Sequence, residues 1–407
     1  MSPLSATDHV IVVGAGVAGW RFVESLRHEG YQGALTLIGE EPHLPYDRPP
    51  LSKQVLAGTW EVGKATLASE ERLARSMASL RLGLRATRLD VAATTVALAD
   101  GTSVVGTHVV LAVGARARPL AYASSGPLPT LRHRDDVAHL SRALDSLEPG
   151  AVVGVIGGGF VGAEAATSIK SRGLTPVVIE AAARPLVAVL GDEVSSWLSG
   201  LASDAGVELR TNQHVVDVTP GPSGYVVHFE VGEPLAVGLV IAAIGSALDL
   251  AWLEGSGLSL DDGVVVDSNL QAAERVAAIG DVARFRHVSA IGEELVRIEH
   301  WQVAIDHAAQ LARYWMTGAT SPPLVPYFWS DQYGKKIQLL GRPDPNDEVV
   351  RVSGGPDEGK WLALYSRADM VTAAVALNQP RGLMLTKPVL DSPTTLNAAL
   401  AIAPWAA

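Results

Sequence analysis

The chain has 407 residues with a formal net charge of −11, and 48% of its residues are hydrophobic, which suits large buried cores and argues against a general nucleic-acid binder. It contains no cysteine, which excludes a disulfide scaffold, a redox dithiol and an iron–sulfur cluster held by this chain. No apolar run reaches the roughly 18 residues of a membrane helix, and the first residues lack the features of a signal peptide, so we expect a cytoplasmic protein with no membrane contact.

The first element is a buried parallel strand over residues 10–13, followed by a glycine-rich turn. Gly14, Gly16 and Gly19 have the spacing G-x-G-x-x-G, and residues 20–30 are typical of a helix that ends at a glycine. In such a turn the first glycine permits the tight bend, the second admits a diphosphate, and the third allows the helix to pack on the strand. The motif therefore predicts a dinucleotide site, although an ordinary tight turn would have the same spacing.

A second predicted strand, residues 34–40, supports the dinucleotide site because it ends in an acid, Glu40. An acid about 20 residues after the glycine turn commonly accepts hydrogen bonds from a ribose hydroxyl. The two features together favour dinucleotide binding over a simple turn.

The next segment, residues 42–58, begins with several prolines, which exclude a regular element at its start. It then predicts a short helix from Ser52, whose hydroxyl is a candidate N-terminal cap. Arg48 and Lys53 lie in this stiff segment, either as solvated surface cations or as part of a rigid wall beside the nucleotide.

A helix and short strands are predicted over residues 65–113, and residues 116–120 are a plausible crossover into a second domain. At residue 151 the opening motif returns, with Gly157, Gly159 and Gly162 between a predicted strand and a predicted helix. The following strand ends in Glu180. This internal repeat predicts a second dinucleotide-binding unit.

Two later features complete the nucleotide-binding part of the chain. The apolar strand 239–245 ends in Gly245, and the strand beginning at residue 276 closes on Asp281, which could reach a polyol hydroxyl at a strand end. A helix over residues 297–315 carries Trp301, whose simplest role is core packing.

The last part of the chain predicts a small domain with an antiparallel sheet. Its strands are expected at residues 335–341, 348–354, 360–366 and 371–378. No part of the sequence predicts a metal site.

The motifs resemble those of the two-dinucleotide flavoprotein reductases. The resemblance is closest to the ferredoxin reductases of bacterial oxygenase systems, the putidaredoxin reductase and biphenyl-dioxygenase ferredoxin reductase group. It covers nearly the whole chain and rests on P-Y-D-R-P-P-L-S-K (45–53), G-G-G-F-V-G-A-E (157–164), A-I-G-D-V-A (278–283), R-I-E-H-W-Q (297–302) and Y-F-W-S-D-Q-Y (327–333).

Where the family often has Pro-Asn after the glycine at 245, this chain has Ser-Ala. Relatives that reduce coenzyme-A disulfides or oxygen need a cysteine near position 45, which this chain lacks.

The resemblance implies an α/β fold with two Rossmann-like dinucleotide-binding domains, similar to glutathione reductase, plus a small α+β C-terminal domain. The implied domains are 1–115 with 246–322 for FAD, 116–245 for NAD, and 323–407 at the C-terminus. Residues expected at the FAD are Gly14, Ala15, Gly16, Gly19, Glu40, Arg48, Lys53, Ala86, Arg132, Asp281 and Trp301. Residues expected at the NADH are Gly157, Gly159, Gly162, Glu180 and Gly245.

The resemblance also implies the residues that carry the reaction. Lys53 and Glu164 resemble an acid–base pair beneath the flavin, and Trp329 resembles an aromatic residue at the flavin edge that faces the iron–sulfur partner. The implied function is an NADH-dependent reductase that passes single electrons to a transient [2Fe–2S] ferredoxin, as a monomer or weak dimer. Arg313, Lys335, Lys336 and Lys387 are candidate cations for docking an acidic ferredoxin. A rubredoxin-type acceptor and an NADH-sensing signalling flavoprotein, similar to apoptosis-inducing factor, are the alternatives.

Overall fold

The computed structural model describes residues 3–120 and 123–402, and its contacts divide the chain into two compact units. Unit 1 comprises the chain up to Asp47, Thr66–Arg116 and Leu248–Pro326. Unit 2 comprises Arg48–Ala65, Ala117–Ala247 and the chain from Tyr327 onward. The division into three domains given above stays a prediction.

The strands are, in chain order, β1 (His9–Val13), β2 (Ala34–Gly39), β3 (Ala78–Leu82), β4 (Ala86–Asp90), β5 (Thr95–Leu98), β6 (Ser103–Val105), β7 (His108–Leu111), β8 (Arg116–Ala117), β9 (Val152–Ile156), β10 (Thr175–Ile179), β11 (Glu208–Arg210), β12 (Val215–Gly221), β13 (Gly224–Phe229), β14 (Leu235–Val237), β15 (Leu239–Ala242), β16 (Ser246–Ala247), β17 (Val264–Val265), β18 (Gln271–Ala273), β19 (Val276–Ala278), β20 (Ala283–Ser289), β21 (Gly292–Val296), β22 (Tyr327–Gln332), β23 (Lys335–Gly341), β24 (Glu348–Gly355), β25 (Lys360–Arg367) and β26 (Met370–Leu377).

The α-helices are α1 (Val17–His28), α2 (Glu70–Ser76), α3 (Arg134–Asp145), α4 (Phe160–Ser171), α5 (Val187–Asp204), α6 (Trp301–Thr317), α7 (Pro380–Leu385), α8 (Lys387–Asp391) and α9 (Leu396–Ile402). Short 3-10 helices span Val62–Ala65, Ala251–Leu253, Gly280–Val282 and Pro356–Glu358, and a π-helix spans Leu51–Val55.

Unit 1 is built on a six-stranded sheet in the order β18-β19-β7-β1-β2-β3, parallel except for the β18–β19 pair. Strand β1 lies between β7 and β2, and its residues Val10, Ile11 and Val12 are fully buried. Such an apolar run is typical of a parallel strand covered on both faces. Helices α1 and α6 pack together, with Phe22 and Trp315 in an edge-to-face contact at 5.5 Å.

Unit 2 contains a four-stranded parallel sheet in the order β11-β10-β9-β15, which repeats the strand–turn–helix–strand pattern of unit 1. It also contains a five-stranded antiparallel sheet in the order β22-β23-β26-β25-β24. Helix α5 shares a core with that sheet, and the Tyr365 hydroxyl donates a hydrogen bond to the Leu190 carbonyl at 2.9 Å. The predicted fold class and the antiparallel C-terminal sheet are confirmed.

Three local predictions need correction, and one helix was not predicted. Helix α6 begins at Trp301 rather than at residue 297. Helix α1 begins at Val17 rather than at residue 20, because the glycine turn leads directly into it. The segment at Ser52 is a π-helix preceded by Pro50, and the Ser52 hydroxyl does not cap it. Helix α5 was not predicted from the sequence, since small and polar residues interrupt its apolar pattern and Gly191 breaks its backbone at φ +74°.

None of the helices in the described ranges combines the length and apolar character needed to cross a bilayer. In unit 1, β4, β5 and β6 form a small antiparallel sheet, as do β12, β13 and β14 in unit 2. These sheets lie outside the two parallel sheets and contribute no predicted site residue except Ala86, the buried first residue of β4.

Candidate functional site

The glycine turn of unit 1 is built so tightly that two of its glycines cannot be replaced. Gly14 has φ +117°, and a Cβ there would lie 2.1 Å from the Ala112 carbonyl oxygen. A Cβ on Gly19 would lie 1.9 Å from the Gly14 carbonyl oxygen, so α1 approaches the turn backbone to backbone. Beside Gly16, by contrast, a Cβ would meet no described atom within 4 Å.

The open space at Gly16 faces the start of α1. Gly16 is the N-terminal cap of that helix, and no described side chain caps it. The first backbone N–H groups of a helix lack partners inside the helix and attract anions together with the helix dipole. The residues present therefore fit the diphosphate of a dinucleotide.

Glu40 directly follows β2 and is about half exposed, with 52% of its side-chain surface accessible. Arg116 donates two hydrogen bonds to its carboxylate oxygens, at 2.8 and 3.0 Å. A carboxylate offers about four acceptor positions, so this pairing leaves capacity for ribose hydroxyls. Ala15, within the glycine turn, lies close to the end of β2. A Cβ added to Gly39 would lie only 2.8 Å from the Ala15 Cβ.

The turn that follows β19 lies at the same edge of the sheet as the glycine turn. Strands β19, β7 and β1 are parallel neighbours, so their carboxyl ends meet there. Asp281 lies in the 3-10 helix Gly280–Val282 after β19 and is partly buried. Trp301, also partly buried, begins α6 and donates from Nε1 to Asp47 Oδ1 at 2.5 Å. The carboxyl edge of a parallel sheet is where ligands bind in this class of fold.

The glycine turn of unit 2 reproduces the first in detail. Gly157 has φ +106°, and a Cβ there would lie 2.4 Å from the Ala243 carbonyl oxygen. A Cβ on Gly162 would lie 1.9 Å from the Gly157 carbonyl oxygen, and Gly159 again faces open space. The two turns therefore share both their constraints and their opening, as expected of two nucleotide sites.

Glu180, at the end of β10, is held against this second turn. Its Oε2 accepts from the Gly158 N–H and its Oε1 accepts from the Ala182 N–H, both at 2.8 Å. Arg184, the nearest cation in sequence, forms an ion pair with Asp192. Gly245 has φ +96°, and its carbonyl accepts from the Arg118 N–H at 2.9 Å.

Lys53 and Glu164, paired by the sequence resemblance, form a mostly buried ion pair in unit 2. Lys53 Nζ lies 2.9 Å from Glu164 Oε1, with side-chain exposures of 13% and 6%. The Ser52 hydroxyl donates to Glu164 Oε2 and the Ser330 hydroxyl donates to Oε1, each at 2.6 Å. A buried carboxylate needs such partners, because burial without them is costly.

Sequence analysis missed Ser52 and Ser330 as members of this site. Ser52 was expected to cap a helix, and its hydroxyl instead donates across to α4. Ser168, one turn after Glu164 on α4, adds a second contact to the π-helix by donating from its hydroxyl to the Ser52 carbonyl at 2.7 Å. The sequence signals were that each serine lies in a motif that carries the resemblance and sits next to a predicted site residue, Lys53 or Trp329.

Strand β22 has one buried face and one partly exposed face. Ser330 is fully buried, whereas Trp329 is partly exposed and stacks on Tyr327 with ring centroids 5.9 Å apart. Neighbouring residues in a strand point to opposite faces, which explains the difference. Two of the candidate docking cations are already paired, Lys336 with Asp331 at 3.1 Å and Lys387 with Asp391 at 2.5 Å.

Arg48 and Arg132 both belong to unit 2. The Arg48 carbonyl accepts from the Leu51 N–H at 2.9 Å, and the Arg132 N–H donates to Asp136 Oδ2 at 3.0 Å. Both side chains are partly exposed. Their predicted contacts with FAD stay predictions.

Comparison with known proteins identifies relatives over nearly the full chain. Residues 8–308 match the family described as pyridine nucleotide-disulphide oxidoreductase, and residues 327–406 match a reductase C-terminal domain. The ferredoxin reductase component of chlorobenzene dioxygenase from Cupriavidus sp. (strain PS12) is 33% identical, covering 96% of this chain and 94% of the relative. Putidaredoxin reductase from Pseudomonas putida is 32% identical, covering 93% and 90%.

Two solved structures show the same fold. The covalent putidaredoxin reductase–putidaredoxin complex matches with a TM-score of 0.88 at 29% identity, covering 95% of this chain and 93% of that one. The ferredoxin reductase for the CYP199A2 system from Rhodopseudomonas palustris matches with a TM-score of 0.89 at 30% identity, covering 97% and 99%.

Gly16 and Gly159, the middle glycines of the two turns, allow a direct test of the two nucleotide sites. Gly16→Val places a side chain where the fold has room and a diphosphate would lie, so the purified protein should retain less than about a tenth of the normal FAD while remaining folded. Gly159→Val is the matched control, which should keep its FAD and lose NADH affinity. Flavin absorbance and far-ultraviolet circular dichroism are the measurements. Full FAD occupancy in the Gly16 variant would contradict the assignment.

The serine contacts of Glu164 make a second test. Ser330→Ala removes a donor from a buried carboxylate and should lower the free energy of unfolding by about 1–3 kcal/mol. Ser195→Ala is the control, because Ser195 is fully buried and its hydroxyl has no hydrogen-bond partner among the described residues. Denaturant unfolding of both variants measures the difference. Equal effects would show that the Ser330 hydroxyl does not support Glu164.

Proposed function

This chain belongs to the pyridine nucleotide-disulphide oxidoreductase family, and from that membership we propose that it takes hydride from NADH and passes single electrons to a [2Fe–2S] ferredoxin serving an oxygenase. The observation that carries the proposal is the duplicated glycine turn, which provides two dinucleotide sites in one chain. The nature of the acceptor is supported by full-length similarity to ferredoxin reductase components of dioxygenase systems.

FAD and NAD(H) are the cofactors of this family. In unit 1 the open turn at Gly16, the carboxylate of Glu40 and the Gly280–Asp281 turn would hold the FAD. In unit 2 the open turn at Gly159 and the carboxylate of Glu180 would hold the NADH. When bound, FAD supplies the chemistry that divides a hydride pair into single electrons.

The role of the chain's own residues is to bind and orient the two nucleotides. The glycine turns direct the helix N-termini at the open space beside Gly16 and Gly159, where they would bind the phosphates of each nucleotide. Lys53 is held by Glu164 with its ammonium largely shielded from water, so it is a fixed positive charge and hydrogen-bond donor. The role of this pair beneath the flavin belongs to the proposal, as does that of Trp329 at the acceptor side.

The partner is proposed to be a ferredoxin that binds transiently. An electron carrier must dissociate after each transfer, and weak interfaces are typical of such encounters. The chain carries a net charge of −11, so an acidic ferredoxin would need a local face with less negative charge. A cytoplasmic location and a monomeric or weakly dimeric state complete the proposal.

Cofactor choice depends on Glu180. A 2′-phosphate placed about 4 Å from its carboxylate would be repelled by roughly 4 kcal/mol per unit charge pair at an effective dielectric of about 20, before screening. We therefore expect kcat/KM for NADH to exceed that for NADPH by about a hundredfold or more, and by much less in Glu180→Gln. Steady-state kinetics with both nucleotides measure this. Specificity constants within about threefold in the wild-type protein would contradict the role of Glu180.

Electron transfer to the partner depends on Trp329 in this proposal. Trp329→Ala should lower ferredoxin-coupled cytochrome c reduction at least about tenfold, because a partly exposed aromatic at a docking face contributes strongly to contact. Ferricyanide reduction and FAD content should hold, since neither needs docking. Met384→Ala, an exposed apolar residue on α7 of the same domain, is the control. Equal loss in both assays would make Trp329 structural, and unchanged coupling would remove it from the path.

A further inference from the structure

A buried histidine supports the turn that carries Asp281. The Gly280 N–H lies at the start of the 3-10 helix Gly280–Val282 and donates to His307 Nδ1 at 3.3 Å. Both residues are buried, with His307 only 1% exposed. A buried backbone N–H requires an acceptor, and in the described structure the acceptor for Gly280 is a side chain from α6.

The His307 ring is suited to accept this hydrogen bond. Burial lowers the pKa of His307 to about 3, so the ring is neutral at physiological pH. A neutral imidazole has one nitrogen that donates and one that accepts. Acceptance at Nδ1 therefore places the ring proton on Nε2. Phe285 packs edge-to-face against the ring at 4.6 Å, which limits its rotation.

The rest of the turn is equally constrained. The Ile279 N–H donates to the Leu111 carbonyl at 2.9 Å, which ties the residue before the turn to β7. Gly280 has φ +70°, and a Cβ there would lie 3.0 Å from the Ala18 Cβ of α1. The backbone leading into Asp281 is thus held by the sheet, by α1 and by His307 of α6.

We propose that His307 is a positioning residue for the FAD site, whose ring fixes the Gly280–Asp281 turn so that the Asp281 carboxylate meets the polyol chain of the cofactor. The inference rests on the proposed function, because that function places FAD in unit 1. The inference gives a role to His307, which belongs neither to the glycine motifs nor to the ion pair of Lys53.

The test is FAD binding by the protein stripped of cofactor, measured by titration. His307→Leu has a similar volume and no acceptor, and we expect its Kd for FAD to rise at least about tenfold. His307→Gln retains an acceptor oxygen and should stay within about threefold of wild type. His108→Leu is the matched control, since His108 is a buried histidine whose ring also packs against α6, at Trp315, and which bonds Thr107 at 2.9 Å and not the turn. Its FAD affinity should hold.

The outcomes separate the two proposals. A wild-type protein that binds no FAD would overturn the proposed function itself. FAD binding that is normal in wild type and unchanged in His307→Leu would overturn only the role of His307, as would an equal loss in His108→Leu.

A second measurement applies if His307→Leu does not fold. Nitrogen-15 NMR of the histidine-labelled holoprotein at neutral pH should show His307 neutral, with its proton on Nε2. A proton on Nδ1 would overturn the proposal, because a protonated nitrogen cannot accept from Gly280.

Discussion

Both nucleotide sites depend on one close contact, a glycine Cα of a helix packed against the carbonyl oxygen of the preceding turn. At Gly19 and at Gly162 a Cβ would lie 1.9 Å from that oxygen, a distance no side chain can occupy. The contact brings the start of each helix to the carboxyl end of its parallel strand and leaves the middle glycine of each turn facing open space. From this constraint follow the direction of the helix N-terminus and the space available to a diphosphate.

In unit 2, three segments of the chain are joined by their contacts with Glu164. One buried carboxylate receives Ser52 and Lys53 from the proline-rich segment and Ser330 from the C-terminal sheet. Its charge is therefore matched by an ammonium and by two hydroxyls, which is the arrangement that makes a buried ion pair tolerable. Because Ser330 adjoins Trp329 on β22, the same strand that supports Glu164 also presents the partly exposed aromatic. The contacts of the buried ion pair and the proposed acceptor face thus share a structural element.

The features that could be predicted from the sequence were those that depend on residues close together in the chain. The glycine spacing specified both turns, and alternation of apolar residues located the C-terminal strands β23 to β26, because strand periodicity is a property of neighbouring residues. Helix α5 was missed because its apolar pattern is broken at Gly191. Ser52, Ser330 and His307 were missed for another reason: each acts through a partner distant in sequence, and a single buried serine or histidine has no pattern of its own. The roles of the site residues in catalysis stay predictions.

The central claim is that electrons leave this protein through a ferredoxin. The most direct measurement is NADH-dependent reduction of cytochrome c by the wild-type holoprotein, with and without an added [2Fe–2S] ferredoxin, and with a rubredoxin in parallel. We expect little reduction without a carrier and a large, saturable increase with the ferredoxin, because the proposed function assigns the outgoing electrons to that carrier. A rate that the ferredoxin does not change, while NADH still reduces the flavin, would contradict the account. A response to the rubredoxin alone would show that the fold serves a different acceptor.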